Sequence, residues 1–275
     1  AAAIKRIKAL VHQEVPTFTF GYNFGAPEEM QDTPLTSQER CADGGWILDE
    51  TAFTYNEKSS PYHLWAPYAR RLVWWGDQIN KWGGIYNPFD FRRGGAKYPI
   101  DCIYSAIFRL IASGRSPYCP PFYDARLPFG SPGQLATRYS ECFFGRQREW
   151  LPEIQGAVDI TAAAPVWWKD FVFRNRDSQG RRQMIVNLVN PPVAAEVEEN
   201  PLSKLTPPVR NITVTCAPIE GKRPTAAYLL LAEPMEFTEE PQLRQLELPL
   251  TPTADGKVTV TVPSLLFWKI VVFQY

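Results

Sequence analysis

The chain has 275 residues, and its 29 Lys plus Arg are balanced by 29 Asp plus Glu. Zero net charge argues against bulk binding to nucleic acid or to an anionic membrane, since both need excess positive charge. Hydrophobic residues make up 45 %, the globular norm, and no apolar run nears the ~18 residues of a bilayer span.

Residues 1–11 read as a helix, with Ile4, Ile7, Leu10 and Val11 at helical spacing. Lys5, Arg6 and Lys8 interrupt the apolar stretch that a secretory signal would need. A start in mid-helix is what a piece of a longer chain would show. Residues 15–24 form a first strand, rich in β-formers. Residues 45–53 form a second, with Asp49 and Glu50 near its end. A long helix spans 62–82, its face formed by Leu64, Tyr68, Leu72, Trp75 and Ile79, and Gly83-Gly84 stops it. Residues 85–91 form a third strand ending in Asp90. A helix at 100–113, a short strand within 115–123 and a helix at 135–150 complete four β-then-α units. Such alternation predicts a parallel sheet with covering helices, half of an eight-fold barrel.

The texture changes near Pro152, and the remainder reads as strands at 166–175, 183–189, 211–216, 225–232, 243–250, 258–262 and 265–273. Asp177 to Gly180, Glu220-Gly221 and Ala254 to Gly256 supply turn chemistry between them. Seven short strands predict an antiparallel sandwich. The expected fold is therefore α/β: the C-terminal half of a (β/α)8 barrel at 1–152, then an all-β sandwich at 153–275.

The inventory restricts the chemistry. Five Cys show no CxxC or Cys/His spacing, so neither a zinc site nor a disulfide framework is expected. Only His12 and His63 occur, so carboxylates must do any acid–base work. No metal or organic cofactor is implied. The 26 Pro, roughly twice average usage, imply many fixed loops. The 9 Trp among 13 % aromatics suit a large core and also a cleft whose flat rings stack on sugars. Catalysis in (β/α)8 folds sits at the C-terminal strand ends, which here carry Asn23, Asp49, Glu50 and Asp90. A general acid needs a raised pKa, and a carboxyl among rings such as Trp46, Phe53 and Tyr55 is desolvated in that direction. Glu50 is accordingly the candidate acid/base. Asp49, Asp90, Asn23, Tyr22 and Trp46 are candidate substrate contacts. Ordinary strand-end roles, such as capping a helix or pairing with Arg92 or Arg93, compete with these assignments.

Four segments together resemble retaining glycoside hydrolases of the bacterial dextranase and cycloisomaltooligosaccharide glucanotransferase family. AIFRLIASGRSP at 106–117 resembles that family's last barrel segment, and ATRYSECFFG at 136–145 its closing helix. RQMIVNLVN at 182–190 and VPSLLFWKIV at 262–271 resemble two strands of its terminal sandwich. The resemblance implies an Asp nucleophile on the fourth barrel strand and a Glu acid/base on the sixth. With the strands here numbered five to eight, Glu50 matches the acid/base, and the nucleophile lies outside this chain. The implied activity is retaining hydrolysis or transglycosylation of a poly- or oligosaccharide. The implied partners are the carbohydrate substrate and a second chain or N-terminal fragment completing the barrel. No nucleic acid or membrane partner is expected, and an extracellular or periplasmic address is the favoured expectation. The competing reading is a non-catalytic carbohydrate-binding or assembly subunit.

Overall fold

The computed structural model describes residues 2–24, 37–41, 46–49, 65–82, 85–88, 107, 110–111, 135, 138–144, 147–191, 207–231 and 243–275. Helix α1 (Ala2–Glu14) leads to β1 (Gly21–Phe24), α2 (Ser37–Cys41), β2 (Trp46–Asp49), α3 (Trp65–Lys81) and β3 (Ile85–Pro88). The three strands pair in parallel in the order β1-β2-β3. Two short helices, α4 (Ser140–Phe144) and α5 (Pro152–Gln155), precede an all-β region.

That region comprises β4 (Val158–Thr161), β5 (Val172–Arg176), β6 (Arg182–Val189), β7 (Val209–Cys216), β8 (Ala226–Leu231), β9 (Arg244–Glu247), β10 (Thr251–Pro252), β11 (Val258–Leu265) and β12 (Trp268–Gln274). One sheet has the order β10-β11-β7-β4, and the other β5-β6-β12-β8-β9. Every pairing in both is antiparallel. The two segments that carry the family resemblance in the all-β region, 182–190 and 262–271, meet directly: β6 pairs with β12, with Val189 opposite Trp268 and Asn187 opposite Ile270.

Successive side chains on a strand point to opposite faces, and β6 and β12 are buried on both. Met184, Val186, Leu188, Val271 and Phe273 face the opposing sheet, where Ile212, Val214, Val260 and Val262 meet them. Ile185, Val189, Ile270 and Val272 face the other way, into a core shared with Leu72, Ile79, Ile107, Leu110, Leu135 and Phe143. The all-β region thus has three layers: a four-stranded sheet, a five-stranded sheet, and helical residues over the latter's outer face.

The turns follow the sequence. Gly180, Gly221 and Gly256 have φ of 77°, 74° and 85°, a region that other residues enter only with strain. Asp177 holds its hairpin through one carboxylate oxygen, which accepts from the backbone N–H of Gln179 (2.9 Å) and Arg181 (2.8 Å).

The half-barrel is corrected. The described structure is mostly β, its strands lie chiefly in two antiparallel sheets, and parallel pairing is confined to three strands of four residues each. Helical apolar residues that suggested repeating βα units, Leu72, Ile79, Ile107 and Leu110, belong to one cluster with Ile185, Ile270 and Val272 of the five-stranded sheet. The helix expected at 135–150 is shorter, because Glu149 already bridges Arg174 in extended form. The strand expected at 166–175 breaks at Asp170, whose φ is 69°, so that β5 begins at Val172. The strand expected within 115–123 lies outside the described residues.

Candidate functional site

The parallel sheet fixes the backbone of four of the candidate residues. Tyr22 stands in register with Ile47 and Tyr86, and Asn23 with Leu48 and Asn87. Trp46, at the opposite end of β2 from Asp49, aligns with Gly21 and Ile85. Asp49, the last residue of β2, aligns with Phe24 and Pro88. The structure therefore brings Asn23 and Asp49 to the C-terminal edge of one sheet and leaves Trp46 at the N-terminal edge. Glu50, which follows β2 directly, and Asp90 lie outside the described residues.

Nε2 of His12 lies 2.8 Å from the Phe18 carbonyl oxygen, and its ring meets Phe20 edge-on. Trp74 is exposed while Trp75 packs on the core. Trp168 faces the core between the sheets, and Trp167 packs against the core shared with the helices. Cys41, Cys142 and Cys216 are buried. Burial is the main cause that pushes Cys142 up to about 12 and Cys216 up to about 11, so neither is a nucleophile at neutral pH. Among the described residues no group of three or more His, Cys, Asp or Glu converges as a metal site would need.

A second site emerges from the structure alone. A cleft of about 460 Å³ opens where the β5–β6 hairpin, the Ile219–Lys222 hairpin and Tyr275 meet. Arg174, Arg176, Arg182 and Lys222 line it, against two carboxylates, Glu149 and Glu220. Arg174 clasps Glu149 through two hydrogen bonds, of 2.6 and 3.0 Å, to one carboxylate oxygen. Arg182 pairs with Glu220. That ion pair holds the exposed Glu220 carboxyl below its ordinary range, assisted by Arg174 and Arg176. Glu220 is aimed there by a tight turn in which both it and Gly221 have positive φ, 49° and 74°, the geometry of a type I′ hairpin.

The cleft floor is polar and fixed. Asn175 donates to the Gln183 side-chain oxygen (3.1 Å) and to the Glu141 carbonyl (3.2 Å). The Tyr275 hydroxyl lies 3.1 Å from the Cys216 sulfur, and burial chiefly pushes its phenol up, with Cys216 adding to the shift. Sequence reasoning missed this site, although a signal existed. Arg174, Arg176 and Arg182 sit around the Asp177 to Gly180 turn, and a hairpin closed there sets Arg176 opposite Arg182.

No family model matches the chain, and no curated protein does. Among solved structures, a Paenibacillus sp. cycloisomaltooligosaccharide glucanotransferase, complexed with cycloisomaltoheptaose, is similar over 51 % of this chain and 20 % of its own length. It shows 18 % identity and a TM-score of 0.37. An alpha-L-fucosidase, isoenzyme 2 from Paenibacillus thiaminolyticus, is similar over 43 % of this chain and 15 % of its own, with 19 % identity and a TM-score of 0.27. Both are carbohydrate-active enzymes by name, and the chain spans a fifth or less of the length of either.

Proposed function

We propose that this chain is part of a carbohydrate-active enzyme that hydrolyses or transfers a glycosidic bond in a poly- or oligosaccharide by the retaining route. The observation that carries this reading is the register of the parallel sheet. It ends β2 at Asp49 and sets Asn23 and Asn87 in one register row with Leu48, and Glu50 is the next residue in the sequence. The resemblance supports it from a second direction, since two of its segments are the adjacent central strands β6 and β12.

In this reading Glu50 protonates the departing sugar oxygen and then activates water or an acceptor hydroxyl, while a carboxylate from outside this chain is the nucleophile. Asp49, Asp90, Asn23 and Tyr22 hold sugar hydroxyls, while Trp46, at the opposite end of β2, is left out of the site. The partners this requires are a carbohydrate and a further polypeptide segment bearing the nucleophile.

The test is Glu50→Gln in the full-length protein, assayed on oligosaccharides and on an activated aryl glycoside. Positioned proton transfer is worth ~10²–10⁴-fold, so the oligosaccharide rate falls by that order. The aryl glycoside, whose leaving group needs little protonation, loses far less, and azide restores part of its turnover. Asp49→Asn costs less and shows no azide rescue. Wild-type turnover in Glu50→Gln would remove Glu50 from the chemistry and leave this chain the role of a non-catalytic carbohydrate-binding or assembly subunit.

A further inference from the structure

The cleft on the all-β region is built with more positive charge than its own carboxylates balance. Four cationic side chains line it against two anionic ones, in a chain whose total charge is zero. Glu149 is paired with Arg174 and Glu220 with Arg182. Arg176 donates to the Gly180 carbonyl (3.3 Å). Neither Arg176 nor Lys222 makes an ion pair among the described residues.

The backbone adds to the excess. Arg176 and Arg182 are direct cross-strand partners, and like charges placed opposite each other on a sheet destabilise the pair. A fold that keeps two guanidinium groups in that position, with a third on Arg174 two residues along, has the arrangement that binds an oxyanion through forked hydrogen bonds. The rest of the lining suits hydroxyl groups. Gln147, Gln183 and Asn175 carry amides, which can both donate and accept. The volume of about 460 Å³ falls within the range of small-ligand sites.

We propose that this cleft binds a hydroxylated oxyanion of monosaccharide size, the carboxylate of a sugar acid or the phosphate of a sugar phosphate. The oxyanion sits between Arg176, Arg182 and Lys222, and the hydroxyl groups meet the amides. Arg174 and Arg182 stay oriented by their glutamates, so that the site is formed before the ligand arrives. None of these residues takes part in the Glu50 chemistry, and the two proposals stand or fall separately.

The experiment is calorimetric titration and thermal-shift measurement on the full chain at low ionic strength, with glucuronate, glucose 6-phosphate, glucose and inorganic sulfate as probes. Glucuronate or glucose 6-phosphate binds and raises Tm, and whichever binds more tightly identifies the source of the oxyanion. Glucose gives no shift. Arg176→Gln and Lys222→Gln each weaken binding at least fivefold, while Arg176→Lys, which keeps the charge but loses the fork, falls between wild type and Arg176→Gln. Raising the salt to 150 mM also weakens binding. The melting transition without ligand shows whether each variant is folded. Binding that survives both Gln substitutions, a glucose response equal to that of glucuronate, or no response to any anion overturns the proposal. Sulfate binding as tightly as the sugar anions would also overturn it, reducing the site to an adventitious ion only.

Discussion

Asn187 offers a direct test of how the central sheet is held to its neighbours. It lies on β6, is 1 % exposed, and uses both ends of its amide. Nδ2 donates to the Phe171 carbonyl at 3.0 Å, and Oδ1 accepts from the Trp268 indole at 3.1 Å. Asn187→Leu keeps the branched four-atom shape, at somewhat larger volume, and deletes both bonds. The Phe171 oxygen retains the Asn187 backbone N–H at 3.1 Å, so the larger loss is at the indole, whose acceptor disappears in a dry site. An orphaned buried donor costs about 1–3 kcal/mol, and each lost bond about 1. The expected total is about 2–4 kcal/mol for Leu, and about 1 kcal/mol more for Ala, which also leaves a cavity. At roughly 2–4 °C per kcal/mol for a chain of this size, Tm falls by about 5–15 °C. Asn187→Asp adds a sign. A carboxyl in this site has its folded pKa raised, so the folded state binds more protons than the unfolded one. Stability then falls as pH rises through the unfolded value. Urea unfolding followed by Trp fluorescence at pH 5 and pH 8 measures both effects. Asn187→Leu within about 0.5 kcal/mol of wild type, or Asn187→Asp more stable at pH 8 than at pH 5, would refute the reasoning.

Arg148 donates to the Ile111 carbonyl at 2.6 Å and lies 3.5 Å over the Phe173 ring, and burial pushes it down to about 9. Replacing a buried charge by an apolar isostere is often neutral or stabilising, so Arg148→Met should match or exceed wild-type stability at pH 7, while Arg148→Ala costs about 2–4 kcal/mol through its cavity. The unfolded chain binds more protons than the folded one above pH 9, so any advantage of Arg148→Met narrows between pH 9 and 10, and an advantage that widens in denaturant titrations would refute the assignment. Burial raises the Asp177 carboxyl, but hydrogen bonds from Arg181 and from the Gln179 and Arg181 backbone outweigh it and leave it below 3.8. Its contribution is present above that ordinary value and is lost as pH falls below it. Asp177→Ala should cost about 1–3 kcal/mol at pH 7, with a gap to wild type that shrinks in urea melts below pH 4.

The sequence made visible what depends on local periodicity. The apolar face of α3, with Leu72 and Ile79, is buried as its spacing required. Strands β6, β7 and β8 lie within two residues of their expected positions, and β12 begins three residues later than expected, because short apolar runs bounded by turn signals leave few alternatives. Strand β4 was not visible, since VDIT is four residues long with one buried position, and its place depends on pairing with β7, about 50 residues away. The architecture was misread for a related reason. Helices over a parallel sheet and helices over the back of a sandwich have the same one-sided pattern, and only tertiary contacts tell them apart. At the candidate site, the carboxylate at the end of β2 was legible from its strand. The cleft was not, because its charges are spread from Glu149 to Lys222 and meet only through two hairpins.

The double burial of the five-stranded sheet ties the two proposed sites to one core. Ile270 and Val272 of β12 contact the same cluster as Leu72 and Ile79 of α3, and α3 packs on β3, the third strand of the parallel sheet. Val271 and Phe273, one residue away on the same strand, support the core between the sheets, and Tyr275 then lines the cleft. Deleting the all-β region would therefore expose the apolar faces of the helical residues to water, at ~25 cal/mol per Å² uncovered. One cluster joins residues from Cys41 to Phe143 with residues from Phe171 to Val272. The all-β region thus shares one core with the helical residues. A change that loosens β12 at Trp268 or Ile270 should therefore lower the stability of the helical residues as well as that of the sandwich, read as one unfolding transition in urea followed by Trp fluorescence.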